Sequence, residues 1–468
     1  MQICRLLKFD IAALFLRMLC FTDFKIKEEK MKVLVVGKGG REHALAWKIA
    51  QSFYVDKLFC FPGNAGIADV AEIPDIADDS VESLLDFAVR ESIDLTVVGP
   101  EDYLAKGIVD AFEAKGLRIF GVNRDAARLE SSKAFAKEVM KAAKIPTAAY
   151  STVTDFESGD RILKTSKYPV VLKADGLAAG KGVIICADYD EASSELSQML
   201  GGKFKSAGAK VVIEEFLKGE ELSLLLLTDG TNVKRLLFSQ DHKALNDGDT
   251  GLNTGGMGAY TPVRSGTDEL YAKVDRTVTQ PLLKELKKRG INYRGILYIG
   301  LMVVEGEPFV LEYNVRFGDP ETEPLMFMLV SDIIPYFWAV AGKDTQLRGK
   351  DEKMPLFTTL EALPELVWRS GYGMCVVLAS GGYPESYEKG KIISGLDSVD
   401  ENCVVFHAGT KFDASGNIVT DGGRVLMVTS GGEDINEAVA NTYKNVEKIT
   451  FDKAYFRHDI AHREQERN

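Results

Sequence analysis

Gly295 to Glu323 reads GILYIGLMVVEGEPFVLEYNVRFGDPETE. Glu305-Gly306-Glu307-Pro308 has a turn composition between two apolar runs, which predicts an antiparallel strand pair. On the second strand, period-2 alternation sets Glu312, Asn314 and Arg316 on one face. A carboxylate and a neutral amide oxygen are hard ligands that suit Mg2+, which takes one or two protein oxygens and completes its shell with nucleotide phosphates. Arg316 adds a planar fork for a carboxylate or phosphate. The other reading is a solvated hairpin face. Against it stand the polar residues where the strand should be most buried and the polar strand-to-helix junction Gly318-Asp319-Pro320-Glu321-Thr322.

Composition bounds what such a site can serve. A chain of 468 residues that is 46% apolar has material for two to four domains. The formal charge of −12 argues against a broad nucleic-acid or anionic-membrane surface and leaves room for a local basic pocket around one phosphorylated metabolite. Cys4, Cys20, Cys60, Cys186, Cys375 and Cys403 are scattered, without a C-x-x-C pair, and read as reduced, buried thiols of a cytoplasmic protein. Residues 1–30 differ from the rest. Ile11 to Phe21 is apolar but broken by Arg17, too short to span a bilayer and followed by a charged run, so the segment reads as an extension outside the fold, with a targeting role as the alternative.

From Met31 to Ser131, strand and helix patterns alternate. Val33 to Val36 leads through Gly37-Lys38-Gly39-Gly40 into a helix; Lys57 to Phe61 ends at Pro62-Gly63-Asn64-Ala65-Gly66; Leu95 to Val98 ends at Gly99-Pro100-Glu101. This predicts a parallel sheet with all three polar turns at its carboxyl end, a candidate binding crevice. It is not a dinucleotide site, because Glu42 occupies the third glycine position and strand two ends in proline. The first turn is expected to offer backbone N–H groups at a helix N-terminus, with Arg41 beside them, to a single phosphate; a structural glycine turn is the alternative.

Ser131-Ser132-Lys133 opens a helix to Ala143. Beyond it, Tyr168–Ala174 and Val183–Ala187 read as strands joined by Asp175 to Gly182, a loop that is not a Walker A motif: the spacing is one residue short and a strand follows. The expectation is a glycine hairpin folding over phosphates, with Lys173 as a point charge from the preceding strand. Val211 to Leu217 and Gly219 to Ser223 form a crossing whose backbone can pair with a purine edge, while Glu221 accepts ribose hydroxyls. Ser239–Lys243 and Asp249–Gly258 are too polar and glycine-rich for a core and are expected to carry binding residues, with His242 a positioning donor in preference to a base. After Pro355 the pattern is a small α+β domain, in which His407 and Arg424 border the cleft or serve core and turn roles.

GGREHA at Gly39–Ala44, PGNAG at Pro62–Gly66, KADGLAAGKGV at Lys173–Val183, NTGGMGAY at Asn253–Tyr260 and RFGDPET at Arg316–Thr322 together closely resemble the phosphoribosylamine-glycine ligase family of the ATP-grasp superfamily, over nearly everything from Met31 onward. The family's last motif continues with Gln where this chain has Glu323, a change expected at the edge of the site and affecting local hydrogen bonding only. The resemblance implies an α/β and α+β multidomain fold: an extension (1–30), a Rossmann-like parallel-sheet, pre-ATP-grasp domain (31–131), a central ATP-grasp domain (132–330) with a mobile lid near 150–213, and a C-terminal α+β domain (356–455). It implies ligation of glycine to 5-phosphoribosylamine with ATP and Mg2+ or Mn2+, through glycyl phosphate, by a cytoplasmic monomer or small homo-oligomer that binds neither nucleic acid nor membrane.

Carried over residue by residue, the resemblance implies catalytic roles for Arg316, Asp241 and Lys243, the first two holding glycine by its carboxylate and ammonium. It implies nucleotide contacts at Lys133, Lys173, Gly180, Lys181, Gly182, Glu214, Glu215, Phe216, Leu217 and Glu221. It implies substrate contacts at Gly39, Gly40, Arg41, Glu42, Gly63, Asn64, Ala65, Pro100, Glu101, Asn253, Gly255, Gly256, Met257, Gly258 and Asp319, the N-terminal turns with Arg41, Asn64 and Glu101 holding the ribose phosphate and its amine. Glu312 and Asn314 are the implied metal ligands. A different ATP-grasp carboxylate-amine ligase or carboxylase, or a non-catalytic nucleotide sensor, remains the alternative.

Overall fold

Val33-Leu34-Val35-Val36 is fully buried, as an apolar run becomes when a strand has neighbours on both sides and helices on both faces. In the computed structural model, which describes residues 30–176, 182–204, 208–342 and 359–467, this run lies in β1 (Met31–Gly37). It pairs in parallel with β2 (Val55–Pro62) and β3 (Leu95–Val98), and β4 (Ile119–Phe120) completes the sheet in the order β2-β1-β3-β4. Residues 1–29 lie outside the described residues.

The next four strands are β5 (Tyr150–Val153), β6 (Val170–Ala174), β7 (Val183–Cys186) and β8 (Val211–Glu215), an antiparallel sheet in the order β5-β8-β6-β7. With the helices Phe156–Leu163 and Tyr189–Gln198 it encloses its own apolar cluster, including Val153, Leu163, Leu172, Leu196 and Ile213. The helix Lys133–Ala143 leads into this subdomain, capped by the Ser132 hydroxyl, which accepts from Phe135 N.

Strands β9 (Glu220–Thr228), β10 (Val233–Arg235), β11 (Gln240–Asp241), β12 (Ala244–Asn246), β13 (Thr250–Asn253), β14 (Gly258–Thr261), β15 (Gly295–Val304) and β16 (Glu307–Asn314) follow. Four of them form an antiparallel sheet, β10-β9-β15-β16. The expected hairpin is β15–β16, turned by Glu305 and Gly306, both at positive φ (50° and 81°) as a tight two-residue connection requires. A bulge opposite Gly300–Leu301 adjusts the register just before Glu312. The strand stops at Asn314, so Arg316 does not continue its alternation; it stands beyond the last paired residue and reaches the same space by its length.

The last strands are β17 (Tyr372–Ser380), β18 (Val404–His407), β19 (Thr410–Phe412), β20 (Ile418–Thr420), β21 (Arg424–Gly432) and β22 (Ala454–Tyr455). Their main sheet runs β11-β14-β17-β21-β18, with β22 also on β17. The strand ending in Asp241 is therefore an edge of the C-terminal sheet, which fixes this carboxylate to that region's backbone. Outside the β5–β8 subdomain, two large apolar clusters each run through all three regions: Leu34, Leu224 and Val428 share one, Val35, Leu225 and Val377 the other. The β5–β8 subdomain, the span expected to act as a lid and called the lid below, buries a separate core.

Candidate active site

The carboxyl end of the parallel sheet, the lid sheet and β16 enclose a cavity of about 700 Å3. Glu312, Asn314 and Arg316 all line it. Burial alone would raise the Glu312 carboxyl, but Lys243, Lys133, Lys173 and Arg316 overcome this and hold it at about 2, so it is an anion throughout the neutral range. Lys243 Nζ lies 3.7 Å from its Oε1. Asn314 Oδ1 accepts from Arg316 Nη2 at 3.1 Å. The expected open fork of Arg316 is already occupied: Nη2 lies 3.1 Å from Glu130 Oε1 and Nε 3.3 Å from Glu101 Oε2. Burial would lower its pKa, but Glu130 and Glu101 raise it instead, so it stays charged.

Along the lid side, Lys133, Lys173, Gly182, Glu214, Glu215, Phe216, Leu217 and Glu221 line the cavity; Gly180 and Lys181 lie outside the described residues. Lys173 Nζ is 3.0 Å from Glu214 Oε2 and donates to Leu311 O at 2.9 Å. Glu215 Oε1 accepts from Ala149 N at 2.9 Å, pinning the end of β8. Ile185 and Phe216 expose 48% and 39% of their surface here, an apolar slot at the mouth of a charged cavity.

Asp241 and Lys243 also line the cavity. Lys243 Nζ lies 2.5 Å from Glu221 Oε1; burial would lower its pKa, but Glu221 and Glu312 raise it well above the ordinary lysine value. Asp241 is the reverse case. Burial and the neighbouring Glu321 push its carboxyl well up, and Oδ1 is buried without a hydrogen-bond partner among the described residues. A buried acceptor left open in a cavity is a place for a donor to dock.

The three N-terminal turns behave differently. Arg41 and Glu101 line the cavity, whereas Gly39, Gly40, Glu42, Gly63, Asn64, Ala65 and Pro100 do not. Glu42 folds back: Oε2 accepts from Lys38 N (3.1 Å) and Gly39 N (2.6 Å), and Oε1 from Arg41 Nε (2.5 Å). The N–H groups expected to await a phosphate at 38 and 39 are thus consumed by the chain's own carboxylate. Asn64 is also spent: Nδ2 donates to Lys38 O (2.8 Å) and His407 O (2.7 Å), while Oδ1 accepts from Gly66 N and Ile67 N at 3.0 Å each. It ties two loops and the C-terminal region together.

Asn253, Gly255 and Asp319 line the cavity; Gly256, Met257 and Gly258 do not. Met257 is fully buried, and its backbone is held by His242 O and Val377 N. His242, expected as a donor, is an acceptor: Nε2 receives Ala461 N at 3.2 Å, and burial with Arg457 and Arg463 lowers the ring to about 3. His407 is likewise buried and lowered by that burial to about 4. Arg424 does reach the cavity, clamping Asp319 (3.0 Å) and donating to Gly255 O at 2.6 Å. Glu323, expected at the edge, is fully buried in the helix Thr322–Met328 with neither carboxyl oxygen partnered among the described residues.

Family models for phosphoribosylglycinamide synthetase match the chain in three consecutive pieces: the N domain at residues 31–130, the ATP-grasp (A) domain at 131–322 and the C domain at 373–463. The chain belongs to the phosphoribosylglycinamide synthetase family. It is 45% identical over 437 residues to a phosphoribosylamine--glycine ligase of Nostoc sp., covering 92% of this chain and 99% of that protein. It is 43% identical over 441 residues to a bifunctional purine biosynthetic protein of Pichia angusta, covering 93% of this chain and 54% of that longer one. The crystal structure of phosphoribosylamine--glycine ligase from Thermotoga maritima aligns with a TM-score of 0.76 at 34% identity, over 92% of this chain and 100% of that one. The biotin carboxylase domain of a Hydrogenobacter thermophilus 2-oxoglutarate carboxylase, solved with MgADP, shares the ATP-grasp fold at TM-score 0.66 and 19% identity, over 91% and 92% of the two chains.

Within this family architecture several cavity residues escaped the sequence reading. Glu130 and Glu321 are 9% and 2% exposed, and Glu321 Oε1 accepts from Tyr298 OH (2.6 Å) and Ser223 Oγ (3.0 Å). Glu321 sits inside the RFGDPET motif, a signal that was available. Lys137 and Tyr383 line the cavity from a helix face and a C-terminal loop that carry no such signal. Among the described residues no helix is long and apolar enough to cross a membrane.

Proposed function

We propose that the chain ligates glycine to 5-phosphoribosylamine with ATP, giving glycinamide ribonucleotide, ADP and phosphate in de novo purine synthesis, in the cytoplasm and as a monomer or small homo-oligomer. The observation that carries this reading is the polarity of one cavity. The cations Lys133 and Lys173, the anion Glu312 and the open acceptor of Asp241 all line it. The lysines and Glu312 suit a nucleotide, its purine edge on the backbone of Phe216 and Leu217 beside Ile185. The open acceptor of Asp241 suits the ammonium of a small amino acid.

The donor set of Glu312 and Asn314, one ionised carboxylate and one amide oxygen on alternate strand positions, fits Mg2+ or Mn2+ whose remaining ligands are phosphates. Such an ion supplies charge neutralisation during phosphoryl transfer. The chain's own residues do the rest. Lys173, fixed between Glu214 and Leu311 O, presents charge to the nucleotide phosphates; Asp241 orients glycine so that its carboxylate meets the γ-phosphoryl group. The resulting acyl phosphate is open to hydrolysis, and closure of the separately cored lid excludes water until the sugar amine attacks. Arg41 and Glu101 at the carboxyl end of the parallel sheet border the second substrate.

The test is ADP release by the full chain with ATP and Mg2+, adding glycine and freshly generated phosphoribosylamine separately and together. Release that needs both, with the glycyl group in the product, supports the assignment. Full replacement of either by another carboxylate or amine points to a different ATP-grasp ligase, and ATP binding without ADP formation points to a sensor.

A further inference from the structure

Lys137 belongs to none of the motifs, yet it is a buried cation at the base of the lid. Its side chain is 2% exposed; those of its neighbours Glu214 and Lys173 are 2% and 7% exposed. Lys137 Nζ lies 3.2 Å from Glu214 Oε1 and 2.6 Å from Thr147 Oγ1, and Thr147 Oγ1 donates onward to Val310 O at 2.6 Å. On the other side of the same carboxylate, Lys173 Nζ is 3.0 Å from Glu214 Oε2 and donates to Leu311 O at 2.9 Å.

The placement of these groups is what gives the cluster meaning. Thr147 is just before the first lid strand, Lys173 is in a middle strand and Glu214 in the last, so the cluster gathers the lid's entry, interior and exit. The two carbonyls it grips, Val310 and Leu311, immediately precede Glu312 on β16. Two cations around one buried anion add little stability over an apolar packing of the same volume; what they add is a defined geometry.

We infer that Lys137 is a positioning residue: by sharing the Glu214 carboxylate with Lys173, it holds the lid in register with β16 and leaves the Lys173 ammonium directed at the nucleotide phosphates. This rests on the nucleotide site proposed above. Without the Lys137 charge, both oxygens of Glu214 turn to Lys173 and withdraw it from the phosphates. The groups facing Lys137 are Glu214 and Glu215 from β8, Lys173 from β6 and the Tyr150 ring from β5, with Nζ 5.4 Å from the ring centroid. Burial, then the Lys173 charge, outweigh Glu214 and bring Lys137 down to about 8, so its proton is lost within the range where the enzyme can be assayed.

The experiment is a calorimetric titration of the full chain with MgATP from pH 6.5 to 9.5, for the wild type, Lys137→Met and Lys137→Gln. Direct binding is independent of which carboxylate and amine are ligated, so failure of the ligase assignment and failure of this inference give different results. Expected are a wild-type Kd that rises above about pH 8 and, in both variants, a Kd weakened about 10- to 100-fold at pH 7 and flat across that range. The KM for glycine should stay within about twofold, below the scale of a lost hydrogen bond. A wild-type Kd without an alkaline rise overturns the inference even where neither variant folds. So does a folded Lys137→Gln that binds like wild type, because the amide keeps a polar contact and lacks only the charge.

Discussion

The lid-side wall and the N-terminal turns are built from the same materials, glycines, lysines and carboxylates, and use them in opposite ways. On the lid side the charges point into the cavity and are held there by partners behind them: Glu214 and Leu311 O fix Lys173, and four cations depress Glu312. In the turns the polar groups satisfy one another. Glu42 consumes two loop N–H groups, and all four hydrogen bonds of Asn64 go to backbone. A motif names the residue types; only the balance of donors and acceptors tells whether any capacity is left for a ligand.

Glu312→Gln should separate the two most sharply. Its charge faces substrate space, so turnover should fall by about 100-fold or more, the scale of losing a preorganised electrostatic contact. The melting temperature should fall as well, since a carboxyl held at about 2 in the fold stabilises it at neutral pH and a neutral amide forfeits the attraction of those cations. Near-normal turnover at limiting Mg2+ would remove Glu312 from the metal site.

Arg316→Lys probes a residue that belongs to both regions, gripping Glu130 and Glu101 behind it while lining the cavity. A single ammonium cannot span two carboxylates and an amide. The expected result is a rise of about tenfold in the KM for glycine, together with a lower melting temperature because one buried carboxylate loses its partner. A changed melting temperature with unaltered glycine kinetics would make Arg316 a clamp of the Asn64 kind.

Asn64→Ala should spare the chemistry that Glu312→Gln removes. The loss expected is about 1–3 kcal/mol of stability, from backbone groups left unpaired, with the KM for phosphoribosylamine unchanged after correction for the folded fraction. A KM effect at full stability would mean that the turn opens to bind substrate and that the closed clamp is one state of two.

How far the sequence was legible follows the same division. Period-2 alternation and turn chemistry carry Glu312 and Asn314 to the cavity, because strand geometry is local. Likewise, the Leu95–Val98 run predicts a buried strand and the Ser132 cap a helix start. The saturation of Asn64 and the anchoring of Arg41 are not local: their carbonyl partners, His407 and Phe317, are 343 and 276 residues away. Lys137 lies one turn beyond Lys133 among apolar residues, a pattern shared with any amphipathic helix whose long cation snorkels to solvent. What buries it is the lid packing back onto that face, which no window along the helix contains.

Glu323 gives the finest test of whether a buried polar group is a stabilising partner or a tolerated burden. Burial, with the Asp319 carboxylate next, raises its pKa well above the usual glutamate value, and neither oxygen has a partner among the described residues. The sign follows from proton counts. Between the unfolded pKa near 4.3 and the raised folded value, the folded chain keeps a proton that the unfolded chain gives up, so stability contributed by neutral Glu323 is complete at low pH and is lost as pH rises. Glu323→Gln is permanently neutral and nearly isosteric. The melting temperatures of variant and wild type should therefore coincide near pH 4 and diverge in the variant's favour by pH 8, by about one degree for each ~1 kcal/mol in a chain of this length. A gap that is constant with pH would instead mean that Glu323 is already ionised in the fold and that Arg424, whose charge acts on both Asp319 and Glu323, compensates it.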